Sequence, residues 1–243
     1  MPGILSVALA QLNPAVGDIS GNITKLRSAR RDAAAKGAHL LMTSELYVSG
    51  YPPEDLVLKP SFQNAVKAAV ESLAKETSDG GPGILLGTPW VEDGKLYNAA
   101  LLLTEGRIAT GVLKHDLPNY GPFDEKRVFT PAPLPDPIVF RGIKLGVMIC
   151  EDMWTPKAAE YLKKQGAQIL LVPNGSPYES DKQDERQTLA RLRVKETALP
   201  LIYLNQLGGQ DELVFDGESF VLDAQGKCVV QARAWTEELV VTR

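Results

Sequence analysis

A chain of 243 residues, 44% of them hydrophobic, is long enough to bury one large core, and a single layered α/β domain is ordinary at this size. A net charge of −4, with no basic cluster interleaved with aromatics, argues against nucleic acid or an anionic membrane as a main partner. Two cysteines make neither a disulfide framework nor a metal cluster, no apolar run approaches the roughly 20 residues of a membrane span, and the N-terminal stretch lacks the basic start of a signal peptide, so the expected setting is the cytoplasm.

Residues 4–11 alternate toward a first strand, and Asn13-Pro14 with Gly17-Asp18 makes a turn. Ile23, Leu26, Ala29 and Ala33 recur at helical spacing, which predicts a helix over 23–36 capped by Asn22 and stopped by Gly37. A second strand over 38–42 is followed at once by Thr43-Ser44-Glu45. A helix over 61–75, a strand over 84–87 and a hairpin of strands 96–103 and 107–114 around Glu105-Gly106 come next. Residues 115–137 read as a long loop stiffened by Pro131, Pro133, Pro135 and Pro137. A buried strand over 145–149 leads to Cys150, after which Glu151, Asp152 and Thr155-Pro156 read as the opening of a helix to about residue 165. A strand over 169–172, a polar loop 174–182, a charged helix 184–197, a strand 199–205, a turn 207–211 and strands 214–222, 227–231 and 239–242 complete the chain. Early βα alternation with later hairpins predicts mixed sheets with helices outside.

A cysteine between a buried strand and a helix start is near backbone donors and a positive dipole end, both of which favour thiolate; it is equally a small buried apolar residue. The chain has no phosphate-cradling glycine loop, no Gly-x-Ser-x-Gly elbow and no spaced Cys/His metal set. Of its two histidines, His39 begins a strand, and His115 follows Lys114, so in an extended strand the two side chains point to opposite faces. A base for Cys150 is therefore sought among carboxylates, with a cation to hold the thiolate. Glu45, Lys114 and Cys150 each fall just past an apolar strand, which in adjacent strands brings acid, ammonium and thiol to one sheet edge. Singly, Glu45 also reads as a loop carboxylate and Lys114 as an edge lysine. Cys228, beside Val229-Val230, reads as core.

Ser44-Glu45-Leu46, Lys114 followed by Leu117-Pro118 and the Phe123 to Phe129 segment, and Cys150-Glu151-Asp152 resemble the Glu-Lys-Cys constellation of the nitrilase superfamily of carbon–nitrogen hydrolases. Ser49-Gly50-Tyr51-Pro52-Pro53-Glu54-Asp55-Leu56, Leu117 to Gly121, Cys150 to Trp154, Asn174 to Tyr178 and the stretch from Asn205 to Gly217 are similar, more narrowly, to the glutaminase domain of glutamine-dependent NAD synthetases. The match spans nearly the whole chain.

The resemblance implies a four-layer α-β-β-α sandwich with two mixed sheets over residues 1–243, hydrolysing the side-chain amide of L-glutamine. Cys150 would be the nucleophile, Glu45 the proton carrier, Lys114 an oxyanion donor and Glu125 a second carboxylate orienting Lys114. Glu125 reads alternatively as a partner of Lys126 or Arg127 in a solvated loop. Glu151 would receive the substrate's α-ammonium, a role that coexists with compensating a helix dipole. Tyr120, Ser176 and Lys182 would contact the glutamine backbone, with Lys182 facing the α-carboxylate, and Tyr51 and Tyr178 would line the pocket. No metal or organic cofactor is implied for this domain. In synthetases of that kind ATP and deamido-NAD belong to a following domain with a Ser-Gly-Gly-x-Asp loop, a pattern that residues 1–243 lack. The implied partners are a synthetase domain in cis or trans and further copies of the chain in a homo-oligomer. Two rival readings are a free-standing amidase for another small amide and a non-catalytic assembly module, the latter predicting no acid or lysine near Cys150.

Overall fold

A computed structural model of the protein describes residues 4–180 and 182–243, with 182–184 as backbone only. The first half runs β1 (Val7–Gln11), α1 (Ile19–Ala35), β2 (Leu40–Met42), α2 (Pro60–Glu76), β3 (Gly83–Glu92), β4 (Lys95–Thr104) and β5 (Arg107–Leu113). A short α3 (Glu125–Val128) precedes β6 (Ile138–Phe140), β7 (Ile143–Val147), α4 (Pro156–Lys164), β8 (Ile169–Asn174) and α5 (Lys182–Thr197). The chain closes with β9 (Leu201–Asn205), β10 (Leu207–Gln210), β11 (Leu213–Asp216), β12 (Phe220–Leu222), β13 (Cys228–Gln231) and β14 (Glu238–Thr242).

Two six-stranded mixed sheets, ordered β14-β1-β2-β3-β4-β5 and β13-β12-β9-β8-β7-β6, form the middle layers. Their centres are parallel, β1 with β2 and β3, and β7 with β8 and β9. Strand alternation sorts the core. In β1 and β2, Val7, Leu9, Leu40 and Met42 face the second sheet, where they join Leu145, Val147, Leu171 and Ile202. Ala8, Ala10 and Leu41 face the other way, onto Ile23, Leu26 and Ala33 of α1 and Val66, Val70 and Leu73 of α2. Leu170 and Val172 of β8 face outward onto Ala158 and Leu162 of α4 and Ala190 and Val194 of α5. This is the expected four-layer sandwich, and covering both faces is why these strands are apolar throughout. Each fully buried Leu or Val contributes about 1.5–3 kcal/mol. Among the described residues no helix is long and apolar enough to cross a membrane.

Several local expectations are corrected. Asp18, not Asn22, caps α1 by accepting from Gly21 N at 2.9 Å, and Asn22 lies buried inside the helix, bonded to Ala15 and Val48. The 115–137 loop contains α3, and β6 follows it at 138. The 207–211 turn belongs to a β10–β11 hairpin, and the strand expected over 214–222 breaks into β11 and β12 at Gly217 and Glu218, both at positive φ. Cys228 is half-buried on β13 rather than fully in the core; its Sγ–H donates to Val230 O at 3.2 Å.

Candidate active site

The site forms where the carboxyl ends of the parallel strands meet at the seam between the sheets, the usual place for a site in open α/β sheets. Glu45 follows β2 in a turn that packs against β3: Gly87 N donates to Thr43 Oγ1 at 2.9 Å. A Cβ on Gly87 would lie 2.0 Å from Ser44 O, so only glycine lets β3 pass this close. Lys114 follows β5, its backbone N–H bonded to Asn98 O at 2.9 Å. Glu125 opens α3, whose chain returns over the same edge through Glu125 N donating to Pro118 O at 3.1 Å.

These residues converge into one buried cluster. Lys114 Nζ donates to Glu45 Oε1 at 2.6 Å and to Glu125 Oε1 and Oε2 at 3.0 and 2.9 Å, with Glu45 and Lys114 both 1% exposed. Burial disfavours the Lys114 ammonium, but Glu125 and Glu45 more than offset it and hold the group charged. Burial pushes the Glu125 carboxyl up to about 7, aided by Glu45 and opposed by Lys114. The solvated-loop reading of Glu125 is overturned, since Arg127 pairs instead with Glu54, Asp55 and Asp124. Tyr51 is buried and its hydroxyl donates to Glu125 Oε1 at 3.1 Å.

Cys150 is buried and has a φ of +47°. A non-glycine residue there costs about 1–2 kcal/mol, so surrounding contacts must impose the turn. The expected helix start is corrected: residues Cys150–Met153 form a four-residue 3-10 turn, and α4 begins only at Pro156. So short a turn offers little dipole. The thiolate expectation falls with it, because burial and the nearby Glu45 carboxylate push the Cys150 thiol well up, with Lys114 opposing. A thiol shifted in that direction calls for a base beside it.

Two further residues join the cluster and two more hold the segments that carry it, none of them assigned a part by the sequence reading. Asn98 of β4 is buried and its Nδ2 donates to Glu45 Oε1 at 2.7 Å and Glu125 Oε2 at 3.4 Å. Gly175 N, just past β8, donates to Glu45 Oε2 at 2.9 Å, and a Cβ there would meet the Tyr51 ring at 2.9 Å. Arg186 of α5, buried against Asp216 at 2.8 Å, donates to Ser176 O and Pro177 O at 2.8 and 2.6 Å and so fixes the loop that carries Gly175. Asp152 accepts from the backbone at Ile149, His115 and Asp116. A polar residue inside an apolar strand, as in Leu96-Tyr97-Asn98-Ala99-Ala100, is the signal that marks Asn98; Arg186 in a charged helix has none.

The expected substrate residues are dispersed. Tyr120 OH donates to Glu151 Oε2 at 2.8 Å, and both border an open cleft of about 690 Å³ with Lys126, Asn119 and Thr155. Burial raises both groups, and the hydrogen bond raises Tyr120 while lowering Glu151. Ser176 is buried, its Oγ accepting from Arg186 Nε at 3.1 Å. Tyr178 is 44% exposed and packs edge-on against Trp235 at the surface. The side chain of Lys182 lies outside the described residues. His115 points away from the cluster, its Nδ1 at 2.5 Å from Ala132 O and its Nε2 at 2.8 Å from Lys157 Nζ.

The arrangement unites a proton acceptor, a fixed cation and a thiol. The family model for carbon–nitrogen hydrolases matches residues 6–243. A glutamine-dependent NAD(+) synthetase of Rhodobacter capsulatus is 44% identical over 234 residues, 96% of this chain and 42% of that protein. One from Acinetobacter baylyi is 40% identical over 237 residues, 96% of this chain and 43% of that protein. Thus the chain spans less than half the length of these curated relatives. Among solved structures, a glutamine-dependent NAD+ synthetase from Acinetobacter baumannii superposes with a TM-score of 0.93 at 36% identity, over 98% of this chain and 45% of that one. A nitrilase-superfamily amidase from Nesterenkonia gives 0.87 at 28% identity, over 98% of this chain and 89% of that one. With a family model matched over nearly its whole length and a fold shared with these enzymes, this chain belongs to the carbon–nitrogen hydrolase family.

Proposed function

We propose that the protein hydrolyses the side-chain amide of L-glutamine to glutamate and ammonia through a thioester on Cys150, with the ammonia passing to NAD synthesis. The observation that carries this reading is the buried Glu45–Lys114–Glu125 cluster within electrostatic reach of the Cys150 thiol. Similarity to synthetases named as glutamine-dependent supports the choice of amide.

Counting lone pairs assigns the atoms. Glu45 Oε1 already accepts from Lys114 and Asn98, whereas Oε2 accepts, among the described residues, from Gly175 N alone and keeps a lone pair free. Oε2 therefore takes the Cys150 proton as sulfur attacks the amide carbon. Lys114 has three N–H bonds, directed at Glu45 and at both oxygens of Glu125. When the oxyanion forms, one of the two Glu125 contacts gives way to it, and the backbone N–H of Glu151 supplies a second donor. Donors of this kind contribute about 3–4 kcal/mol each. The C–N bond then breaks as Glu45 passes its proton to the departing nitrogen, leaving a γ-acyl thioester and ammonia. Water next gives a proton to Glu45 and attacks the thioester carbon, and the leaving sulfur recovers that proton as glutamate departs.

Glu151, at the cleft, receives the α-ammonium, Tyr120 beside it and the buried Ser176 contact the substrate backbone, and by the family resemblance Lys182 is the counter-charge for the α-carboxylate. Discrimination against simple amides follows, since a charged group left desolvated and unpaired is costly. The reaction so drawn uses no metal or organic cofactor; ATP and deamido-NAD would be bound by a synthetase domain, in cis or trans. A cytoplasmic homo-oligomer is the proposed setting.

A second reading keeps the site and changes the substrate to another small amide. It is favoured by the likeness to the Nesterenkonia amidase over 89% of that chain. The assembly-module reading fares worse, because an acid and a lysine do lie near Cys150. Side-by-side assays of glutamine, asparagine and simple ω-amides decide. Glutamine is expected to yield equal amounts of glutamate and ammonia at the highest kcat/KM; a simple amide turning over faster overturns the glutamine assignment.

A further inference from the structure

The acid and ammonium of the site belong to one sheet and the thiol to the other, so the site works only if the two sheets keep their register at the seam. Leu102, Val112, Leu145 and Ile149 pack there in one apolar cluster. Such packing sets a separation, but it is non-directional and does not fix a reacting sulfur against an ammonium along the seam.

Asp152 supplies direction. Its side chain is fully buried, at 0% exposure, and among the described residues every hydrogen bond it accepts comes from a backbone N–H. Oδ2 accepts from Ile149 N at 2.9 Å, which closes the turn carrying Cys150 at its positive φ. Oδ1 accepts from His115 N at 3.1 Å and Asp116 N at 2.8 Å, the two amides that follow Lys114 on the other sheet. Capping the turn needs only one of these oxygens, and serine or asparagine does that elsewhere. The second oxygen reaches across the seam, and only a carboxylate has the acceptor capacity for all three donors without turning a donor of its own toward one of them.

We infer that Asp152 is the positioning residue that locks the Cys150 turn onto the strand end carrying Lys114, and so sets the alignment of nucleophile and oxyanion donor. The inference rests on the roles of Cys150 and Lys114 proposed above. It acts on the chemical step: misplacement by about 1 Å costs about 100-fold in rate without weakening substrate binding.

Two substitutions separate the halves of the contact. Asp152→Ser keeps a short acceptor for Ile149 N but cannot reach residues 115 and 116. Asp152→Asn keeps one carbonyl oxygen, which the two donors at 115 and 116 attract more strongly than the single donor at 149. Steady-state glutamine hydrolysis is expected to show kcat down about 100-fold in Asp152→Ser and about tenfold in Asp152→Asn, with KM within about threefold of the parent in both. Alkylation of Cys150 by iodoacetamide is expected to slow in the same order, because a thiol moved from its ammonium holds less thiolate. A folded Asp152→Ser protein with parental kcat and alkylation rate, or one more active than Asp152→Asn, overturns the inference. Should Asp152→Ser melt too low to assay, Asp152→Asn decides alone: a kcat loss at unchanged KM supports it, and parental kcat or a loss carried by KM overturns it. If the parent hydrolyses no amide, the proposed function fails while the alkylation order still tests Asp152.

Discussion

Lys114 and Glu45 are 69 positions apart in the chain, yet their Nζ and Oε1 atoms meet at 2.6 Å with almost no exposure to solvent. Glu125 closes the same ammonium from the other side at 2.9 Å. A lone lysine facing two buried carboxylates is an electrostatic unit whose members cannot be removed singly without leaving charge unpaired.

Replacement of that lysine tests the unit. Lys114→Met is expected to destabilise the fold by about 3–5 kcal/mol at pH 8, the range for breaking a buried ion pair by removing one partner. The penalty shrinks at pH 5, where Glu125, pushed up to about 7, carries a proton. Urea unfolding at the two pH values measures both, and an equal penalty at pH 5 and pH 8 counts against this electrostatic account.

Glu125 also imposes a pH dependence of its own. Its value in the folded protein, about 7, lies above the ordinary 4.5, so between these values the folded state retains a proton that the unfolded chain has lost. Its contribution to stability is therefore fully present below about 4.5 and is lost as the pH rises through about 7. In Glu125→Gln that slope disappears, and the melting temperature of the parent should fall relative to the variant between pH 5 and pH 8. Parallel melting curves across this range would contradict the shift.

The two cysteines should behave differently. Cys150→Ala or Glu45→Ala is expected to abolish ammonia release from glutamine, since the first removes the nucleophile and the second the base for a thiol that burial pushes up. Cys228→Ala, on β13 and half-buried, should leave turnover within about twofold, as a substitution away from the site is usually mild. Turnover retained by a folded Cys150→Ala protein would remove the thioester mechanism.

Gly175 offers a test of how Glu45 is aimed. A Cβ there would stand 2.9 Å from the Tyr51 ring, and relieving the clash displaces the N–H that holds Glu45 Oε2. Gly175→Ala should lower kcat by about 10- to 100-fold, with a stability loss of about 1–3 kcal/mol from overpacking. Parental kcat with lowered stability would assign this glycine to packing alone.

The four-layer sandwich was implied by the family resemblance, and the two faces of β1, apolar from Val7 to Ala10, were separated only by its packing. Mixed sheets with helices outside were legible from the sequence because apolar runs and helical spacing are local properties, as with Ile23, Leu26, Ala29 and Ala33 on one face of α1. Glu45, Lys114 and Cys150 were legible as candidates for the same reason, each lying just past an apolar run. Which groups surround them depended on strand order, which no short stretch encodes. Only the tertiary structure brought Asn98 and Gly175 to the cluster, set Asp152 against the backbone on both sides of it, decided between the two readings of Glu125 in favour of Lys114, and replaced the expected helix start by a short turn that buries the Cys150 thiol. The physical reason is that burial and electrostatic pairing are properties of neighbours in space, and here those neighbours come from strands and turns up to 130 residues apart.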